Sequence, residues 1–255
     1  ASKRVSDIVN LVKGSDGLIL ATDPDREGEA ISWHIVEALN NRRALKGVPV
    51  ERVTFNAITK DAVLDAMAHP GTIRRVDDQI CGTPESLPRA AAACLLTLVD
   101  YDTPVWLSSE FADIRNWLAF HTGAPLAASH REARFAVMSG QSSTPALTDF
   151  PLGDDRYPDL SATAIVICAS LEGGRRIRLT GPGIETEALI APQGLHDQFW
   201  SNHRDNNAQF PLGCDVILVS GAQFLALPRS VRSVEVRVER GKAVPLDLPV
   251  ESVAG

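Results

Sequence analysis

A cluster of carboxylates follows a short apolar run near the start of the chain, in the segment LILATDPDREGEAISW over residues 18–33. Asp23, Asp25 and Glu27 occupy alternate positions after the apolar run. Carboxylates held this close repel one another, so a hard divalent cation such as Mg²⁺ is their natural partner. The alternative is structural: Glu27 and Glu29 begin a helix whose dipole favours negative charge, and the cluster binds nothing. Spacing alone leaves both interpretations open.

The overall composition is that of an ordinary globular protein, with 44% apolar and 22% charged residues. At 255 residues the chain can form one large domain or two small ones. A net charge of -7 argues against non-specific binding to nucleic acid, which needs a basic surface. No apolar run approaches the roughly 20 residues of a membrane span, and ASKRVSDIVN lacks the apolar region of a signal peptide. Four widely spaced cysteines, without a CxxC pair, favour a cytoplasmic protein with reduced thiols.

The first 70 residues alternate between helical and strand patterns. Val5, Ile8 and Val12 have helical spacing, and Gly14 ends that helix. GLILAT and VERVTF are strand-like, while EGEAISWHIVEAL and TKDAVLDAMA are helical. This alternation predicts a βαβα unit and part of a parallel sheet.

The rest of the chain mixes strands with helices. TAIVICAS and DVILVS are continuously apolar and are predicted to be central strands. ARFAVM, RRIRLTG and SVEVRVERGKAV are predicted as further strands. PRAAAACLLTLVD, SSEFADIRNWLAFHTG and GLHDQFWSNHRDN favour helices, with Ser109 as the N-cap of the second and Gly123 just past its end. The sum is an α/β fold in which helices cover a mixed sheet.

Lysine usage divides the chain near residue 70. Four lysines fall in the first 60 residues, and none follows until Lys242. A helical pattern ends at Pro70 and Gly71 in the same region. We therefore expect two segments, residues 1–66 and residues 67–255.

Histidines and acids near residue 200 form one candidate site. His196 and His203 are seven residues apart on a predicted helix, with Asp197 and Asp205 nearby. One helical face would suit a metal or an acid–base pair, but no third ligand is in view. Solvated or interface polar residues are the competing interpretation. His121 is interpreted as a residue at a helix C-terminus, where the dipole favours a cation.

Three arginines form a second candidate. Arg175, Arg176 and Arg178 could bind a phosphorylated ligand, although arginines in strands and turns are more often solvated. LTGPGI, over residues 179–184, is interpreted as a turn, because the chain has no GxxxxGK[ST] motif. Cys214 precedes an apolar strand and is expected to be packed, with its thiol unreactive.

The first segment resembles the Toprim region of bacterial type IA DNA topoisomerases over about residues 5–70. LILATDPDREGEAISWHIVEAL, followed by VERVTFNAITKDAVLDAMAHP, carries this resemblance. In that family the matching acidic residues, here Asp23, Asp25 and Glu27, hold Mg²⁺ beside the DNA phosphate that is broken. The resemblance implies a partial Toprim βαβα unit with an incomplete Mg²⁺ site.

The family's activity also needs an earlier glutamate and a nucleophilic tyrosine. We expect that glutamate to fall before the first residue of this sequence. Tyr101, in LVDYDTP, and Tyr157, in DDRYPDL, are the only tyrosines, and neither matches the family's active-site context. We therefore assign no catalytic residue and expect neither topoisomerase activity nor a DNA partner. A DNA-processing fragment that retains Mg²⁺ is the alternative.

The larger segment resembles the PhnH family, a subunit of the bacterial carbon–phosphorus lyase system, over about residues 65–240. Seven strings in the family's order carry this resemblance: AMAHPGTIRR, LTLVDYDTPVWL, WLAFHTGAPL, YPDLSAT, LTGPGI, FPLGCDVILVSG and ALPRSVR. The two resemblances meet at DAVLDAMAHPG, which fits either family.

The PhnH resemblance implies a fold similar to pyridoxal-phosphate-dependent transferases, without that cofactor. The residues agree, because pyridoxal phosphate needs a Schiff-base lysine and none lies between Gly71 and Gly241. It also implies a homodimer that joins the other carbon–phosphorus lyase core subunits, requires no cofactor and does not catalyse a reaction alone.

Overall fold

The computed structural model describes residues 2–22, 26–54, 58–76, 82–239 and 242–245. It divides into two compact units: Ala1–Asp61 with Asp78–Gly82, and Ala62–Asp77 with Thr83–Gly255. Among the helices in these described ranges, none is long and apolar enough to cross a membrane.

The first unit follows the predicted order of elements. These are α1 (Ser2–Val12), β1 (Leu18–Thr22), α2 (Arg26–Asn41) and β2 (Val50–Thr54). The two strands pair in parallel, with Leu18 opposite Val50. Val9 and Val12 of α1 pack with Leu39 of α2 in a small apolar core.

The second unit carries the remaining elements. Helix α3 (Ile58–Ala68) begins in the first unit and ends in the second. The other helices of the second unit are α4 (Arg89–Leu98), α5 (Arg115–Thr122) and α6 (Phe199–Asn207). Its strands are β3 (Arg74–Arg75), β4 (Val105–Leu107), β5 (Phe135–Ser139), β6 (Thr163–Ile167), β7 (Ile177–Thr180), β8 (Ala188–Ile190), β9 (Asp215–Ser220), β10 (Gln223–Leu227), β11 (Arg232–Glu239) and β12 (Lys242–Pro245).

The strands of the second unit form two sheets. The larger has the order β3-β10-β9-β6-β5-β4, with β9, β6, β5 and β4 parallel and β10 antiparallel to both of its neighbours. The smaller is antiparallel, in the order β12-β11-β7-β8. The α/β architecture with a mixed sheet and helices is the one the sequence predicts.

The two continuously apolar strands lie at the centre of the larger sheet, as predicted. Ile165 of β6 faces Ile217 of β9 in the parallel register, and both are fully buried. A parallel strand covered on both faces has no position for a solvated side chain, which explains the unbroken apolar runs. Helix α4 is buried from Ala90 to Leu95.

The helix predicted over SSEFADIRNWLAFHTG is two pieces. A 3-10 helix spans Ser109–Ile114 and is kinked at Phe111, whose φ and ψ are -110° and 20°; α5 then begins at Arg115. The predicted N-cap role of Ser109 is wrong, because its Oγ donates to Glu110 Oε2 at 3.3 Å. Gly123 ends α5 in the left-handed conformation, φ 68°, as predicted.

The single strand predicted over SVEVRVERGKAV is also two pieces. Strands β11 and β12 pair antiparallel, with Glu239 opposite Lys242. The continuous alternation of valines gave no sign of the break between the two strands.

Candidate functional site

A cleft opens where β4 and β5 end. The carboxyl ends of neighbouring parallel strands meet at one edge of a sheet, which is where α/β proteins bind ligands. The cleft has a volume of about 790 Å³. It is lined by Trp106, Ser108, Ser109, Glu110, His130, Gln141, Ser142, Ser143, Thr144, Pro145, Asp149 and His196.

Two strand ends position most of these side chains. Leu107 of β4 lies opposite Val137 of β5, and the Ser108 N–H continues the ladder by donating to the Val137 carbonyl at 3.0 Å. Beyond β5, the Gly140 N–H donates to the Ile167 carbonyl at 2.7 Å. These backbone bonds hold the two polar segments side by side.

Glu110 is the carboxylate around which the cleft's hydroxyls gather. Ser142 Oγ donates to its Oε1 at 3.0 Å, and Ser109 Oγ donates to its Oε2 at 3.3 Å. Hydrogen bonding by its own backbone N–H, followed by the nearby hydroxyls of Ser108 and Ser142, lowers the pKa of Glu110. The side chain therefore stays ionised at neutral pH.

Ser108 is buried at the foot of the cleft, 6% exposed. Its Oγ is close enough to influence Glu110, yet it makes no hydrogen bond of acceptable geometry with any residue in the described ranges. A hydroxyl buried without a partner costs free energy. This atom is the one in the cleft that a ligand would satisfy.

Aromatic rings form one wall of the cleft. The Trp106 ring meets His130 with centroids 6.0 Å apart, and both rings meet Phe150, at 5.8 and 5.6 Å. Edge-to-face packing of this kind fixes the orientation of the rings. The wall therefore presents a rigid aromatic surface beside the carboxylates.

The prediction that His196 and His203 share one face of a helix is wrong. Helix α6 begins only at Phe199, so the two histidines do not share a helical face. His196 lines the cleft, where its backbone N–H donates to the Gly140 carbonyl at 2.7 Å. His203 is buried instead, and its Nδ1 lies 2.9 Å from Ser233 Oγ. Across the described residues, no group of three or more histidine, cysteine or acidic side chains could hold a metal.

The acids next to these histidines lie at the surface. Asp197 pairs with Arg175 at 2.7 Å, and both side chains are mostly exposed. Asp205 is exposed on α6. Neither acid lines the cleft.

The predicted arginine patch is neutralised by acids. Arg175 pairs with Asp197 at 2.7 Å and with Glu235 at 3.6 Å, and Arg178 pairs with Glu187 at 3.8 Å. Arg176 lines a separate pocket of about 370 Å³ that also contains a glutamate. These contacts favour the structural interpretation of the patch over an anion site.

LTGPGI is a close-packed turn, as its sequence predicts. Gly183 has φ 80°, and a Cβ at this position would overlap the backbone carbonyl of Ala68. The glycine is thus required by close approach of two backbones. Phosphate binding is not needed to explain it.

Cys214 and His121 take the positions expected for them. The Cys214 thiol is buried, donates to the Leu147 carbonyl at 3.3 Å, and has its pKa raised by burial to about 12. His121 lies in the last turn of α5. Burial lowers the pKa of His121, however, so the helix dipole acts on a less charged ring than the sequence suggested.

The acidic cluster of the first unit lies mostly outside the described residues. Asp23 and Asp25 fall outside them, and Glu27 belongs to α2 by its backbone alone. The described residues therefore do not test whether the three carboxylates lie close together. The structure shows only that β1 ends at Thr22, just before the acidic cluster, and that α2 begins at Arg26.

Glu110, Ser142 and the residues around them were not predicted as a site from the sequence. Two signals pointed there: the polar run SSE directly after VWL, and QSST directly after FAVMSG. Each is a polar run directly after an apolar strand, the pattern expected where a strand ends at the ligand-binding edge of a sheet. Once SSE was interpreted as the start of a helix, the first signal was lost.

Comparison with known proteins decides the family. A model of the family described as bacterial phosphonate metabolism protein (PhnH) matches residues 53–234, which is more than half of the chain. The chain belongs to the PhnH family. A PhnH relative from Rhizobium meliloti, named alpha-D-ribose 1-methylphosphonate 5-triphosphate synthase subunit PhnH, is 39% identical over 173 residues. That match covers 67% of this chain and 86% of the relative.

The N-terminal part of this PhnH-family chain matches a second family. A Toprim domain model matches residues 1–58. DNA topoisomerase 1 of Zymomonas mobilis is 62% identical over 77 residues, and that of Xylella fastidiosa is 49% identical over 71 residues. These matches cover 30% and 28% of this chain but only 6% and 9% of the topoisomerases. The chain is thus a fusion of a Toprim segment with a PhnH domain.

Proposed function

We propose that this chain is a subunit of the carbon–phosphorus lyase system and acts in phosphonate catabolism in the cytoplasm, without catalysing a reaction alone. The observation that carries the proposal is the 39% identity to the PhnH subunit of Rhizobium meliloti across 86% of that protein. The partners that follow are the other core subunits of the system and a second copy of the chain.

The proposed fold of the second unit is that of pyridoxal-phosphate-dependent transferases without their cofactor. Its mixed sheet with four parallel strands supports this likeness. Pyridoxal phosphate requires a lysine for its Schiff base, and the sequence has none between Gly71 and Gly241. We therefore propose that the domain, over residues 67–255, works without a cofactor.

The proposed role of residues 1–66 is that of a partial Toprim unit attached to the PhnH domain. Asp23, Asp25 and Glu27 lie between the end of β1 and the first turn of α2, a position that suits carboxylates for Mg²⁺. The ion would neutralise the three acids. No further step of chemistry is assigned to it.

Genetic complementation tests the main proposal. A bacterial strain without its own PhnH subunit would receive this chain and grow with methylphosphonate as sole phosphorus source. Growth supports the proposed function. Failure of growth, with the protein shown to be folded and expressed, contradicts it.

The alternative is a DNA-processing fragment, and the 62% identity to a topoisomerase over 77 residues favours testing it. DNA binding would be measured with and without Mg²⁺, for the original chain and for a variant with Asp23→Asn, Asp25→Asn and Glu27→Gln. Mg²⁺-dependent binding that the triple variant loses would support this alternative. Equal binding by both chains would exclude it.

A further inference from the structure

The cleft beside β4 and β5 carries negative charge that no lysine or arginine among its described lining residues compensates. Neither Glu110 nor Asp149 forms an ion pair with any residue the structure describes. Lysine and arginine are both missing from the lining residues in those same ranges. Elsewhere in this unit, Arg74, Arg175 and Arg229 are each paired with an acid. The lining of the cleft thus carries two carboxylates without a compensating lysine or arginine.

This charge determines which ligands the cleft can accept. Two carboxylates in one cleft repel phosphate and phosphonate groups. Among the described lining residues no lysine or arginine offsets the repulsion, and the basic side chains there are those of His130 and His196. A positively charged ligand is attracted by the two carboxylates, whereas an anion is repelled. The phosphorylated molecules of the proposed pathway are therefore poor candidates for this cleft.

Two further features favour a planar cation. The Trp106 and His130 rings form a wall on which a guanidinium can stack. The buried Ser108 Oγ has no hydrogen-bond partner among the described residues and can accept from an N–H group. Arginine combines a flat, stacking cation with several N–H donors that match a carboxylate, whereas lysine offers a point charge.

We propose that the cleft receives an arginine side chain from a partner subunit, with Glu110 and Asp149 as its counter-charges and Trp106 as its stacking surface. This inference rests on the proposed function only for the identity of the partner. The chemistry of the contact rests on the cleft alone.

Affinity for the other core subunits, measured by titration at several salt concentrations, tests the contact in the complex. Glu110→Gln and Asp149→Asn remove charge with little change of shape, and Glu185→Gln removes an exposed acid outside the cleft as the control. We expect each cleft variant to weaken binding about tenfold or more and to flatten its salt dependence. The control should bind like the original chain. A cleft variant that binds as tightly as the control overturns the inference while leaving the proposed function intact.

A second measurement needs no partner. The indole N–H signal of Trp106, assigned with Trp106→Phe, would be followed by NMR during titration with N-acetylarginine amide. Its neutral citrulline analogue and methylphosphonate serve as controls. We expect the arginine compound alone to shift the signal, and Glu110→Gln to abolish the shift. Equal responses to the arginine and citrulline compounds overturn the inference. If the arginine compound shifts the signal but the chain does not bind the other subunits, the proposed function is rejected and the inference about the cleft stands.

Discussion

Ser142 Oγ donates to Glu110 Oε1 at 3.0 Å, which joins two segments that are 32 residues apart in the chain. One segment follows β4 and the other follows β5. The bond ties the ionisation of the cleft's central carboxylate to the loop beyond β5, because an ionised carboxylate is the better acceptor. The pKa of Glu110 thus depends on both segments.

Removing this bond should raise the pKa of Glu110. In Ser142→Ala the carboxylate loses a donor that stabilises its ionised form, so the pKa moves towards its ordinary value. Ser109→Ala is the matched control, since its bond is longer, 3.3 Å, and its influence on the pKa is the smaller. NMR titration of the Glu110 side chain measures both. A larger shift in Ser109→Ala would contradict the geometry.

The pair of Arg229 with Asp215 should stabilise the second unit. Arg229 Nη2 lies 2.7 Å from Asp215 Oδ2, and its Nη1 donates to the Pro158 carbonyl at 2.7 Å. Because these side chains are largely buried and lysine cannot reproduce the fork of donors, Arg229→Lys should lower the free energy of unfolding by about 1–3 kcal/mol. Urea denaturation measures the change.

Arg175→Lys is the control for that experiment. Its pair with Asp197 has the same distance, 2.7 Å, but the two side chains are 62% and 81% exposed. Exposed pairs contribute little, so a change within about 0.5 kcal/mol is expected. Equal losses in Arg229→Lys and Arg175→Lys would show that burial does not set the strength of the pair.

Gly183→Ala should destabilise the second unit strongly. Its φ is 80°, and the added methyl group would overlap the Ala68 carbonyl. Gly221→Ala separates the cost of a positive φ from the cost of the overlap, because Gly221 also has positive φ, 56°, but open space around its Cβ position. We expect a loss of more than about 1 kcal/mol for Gly183→Ala and a smaller loss for Gly221→Ala. Thermal unfolding of both variants decides this, and the reverse order would contradict the close approach.

His203 should make the second unit sensitive to acid. Burial, followed by the charge of Arg204, lowers the pKa of His203 to about 4, whereas the unfolded chain has an ordinary value near 6.5. The stabilisation is complete above about pH 6.5 and is lost as the pH falls towards 4, because the unfolded state takes up the proton first. The full loss approaches roughly 3 kcal/mol.

His203→Gln isolates this contribution. The original chain and the variant would be unfolded in urea at several pH values between 7 and 4. The free energy of unfolding of the original chain should fall relative to that of the variant as the pH falls, since all other groups titrate alike in both. Parallel curves would contradict a neutral buried His203.

Elements with a strong local pattern could be predicted from the sequence. Strands β6 and β9 are apolar at successive positions because both of their faces are covered. Gly123 ends α5 because it adopts a conformation that other residues avoid. In each case the physical cause of the element, or of its end, lies in a few residues that are neighbours in the sequence.

The cleft could not be predicted in the same way. Glu110 and Ser142 meet through the pairing of β4 with β5, and β4 has only three residues, Val105–Leu107. His196 was placed on a helix by its spacing from His203. In the structure His196 precedes that helix, and its N–H donates to the carbonyl of Gly140, a residue far away in the sequence. Such contacts between distant segments leave no local pattern.

Size-exclusion chromatography with light scattering, on the chain alone and mixed with the other carbon–phosphorus lyase core subunits, tests whether the chain is a subunit of that system. We expect a dimer that co-elutes with those subunits in a particle of defined mass. A folded chain that elutes unchanged in their presence would contradict this expectation.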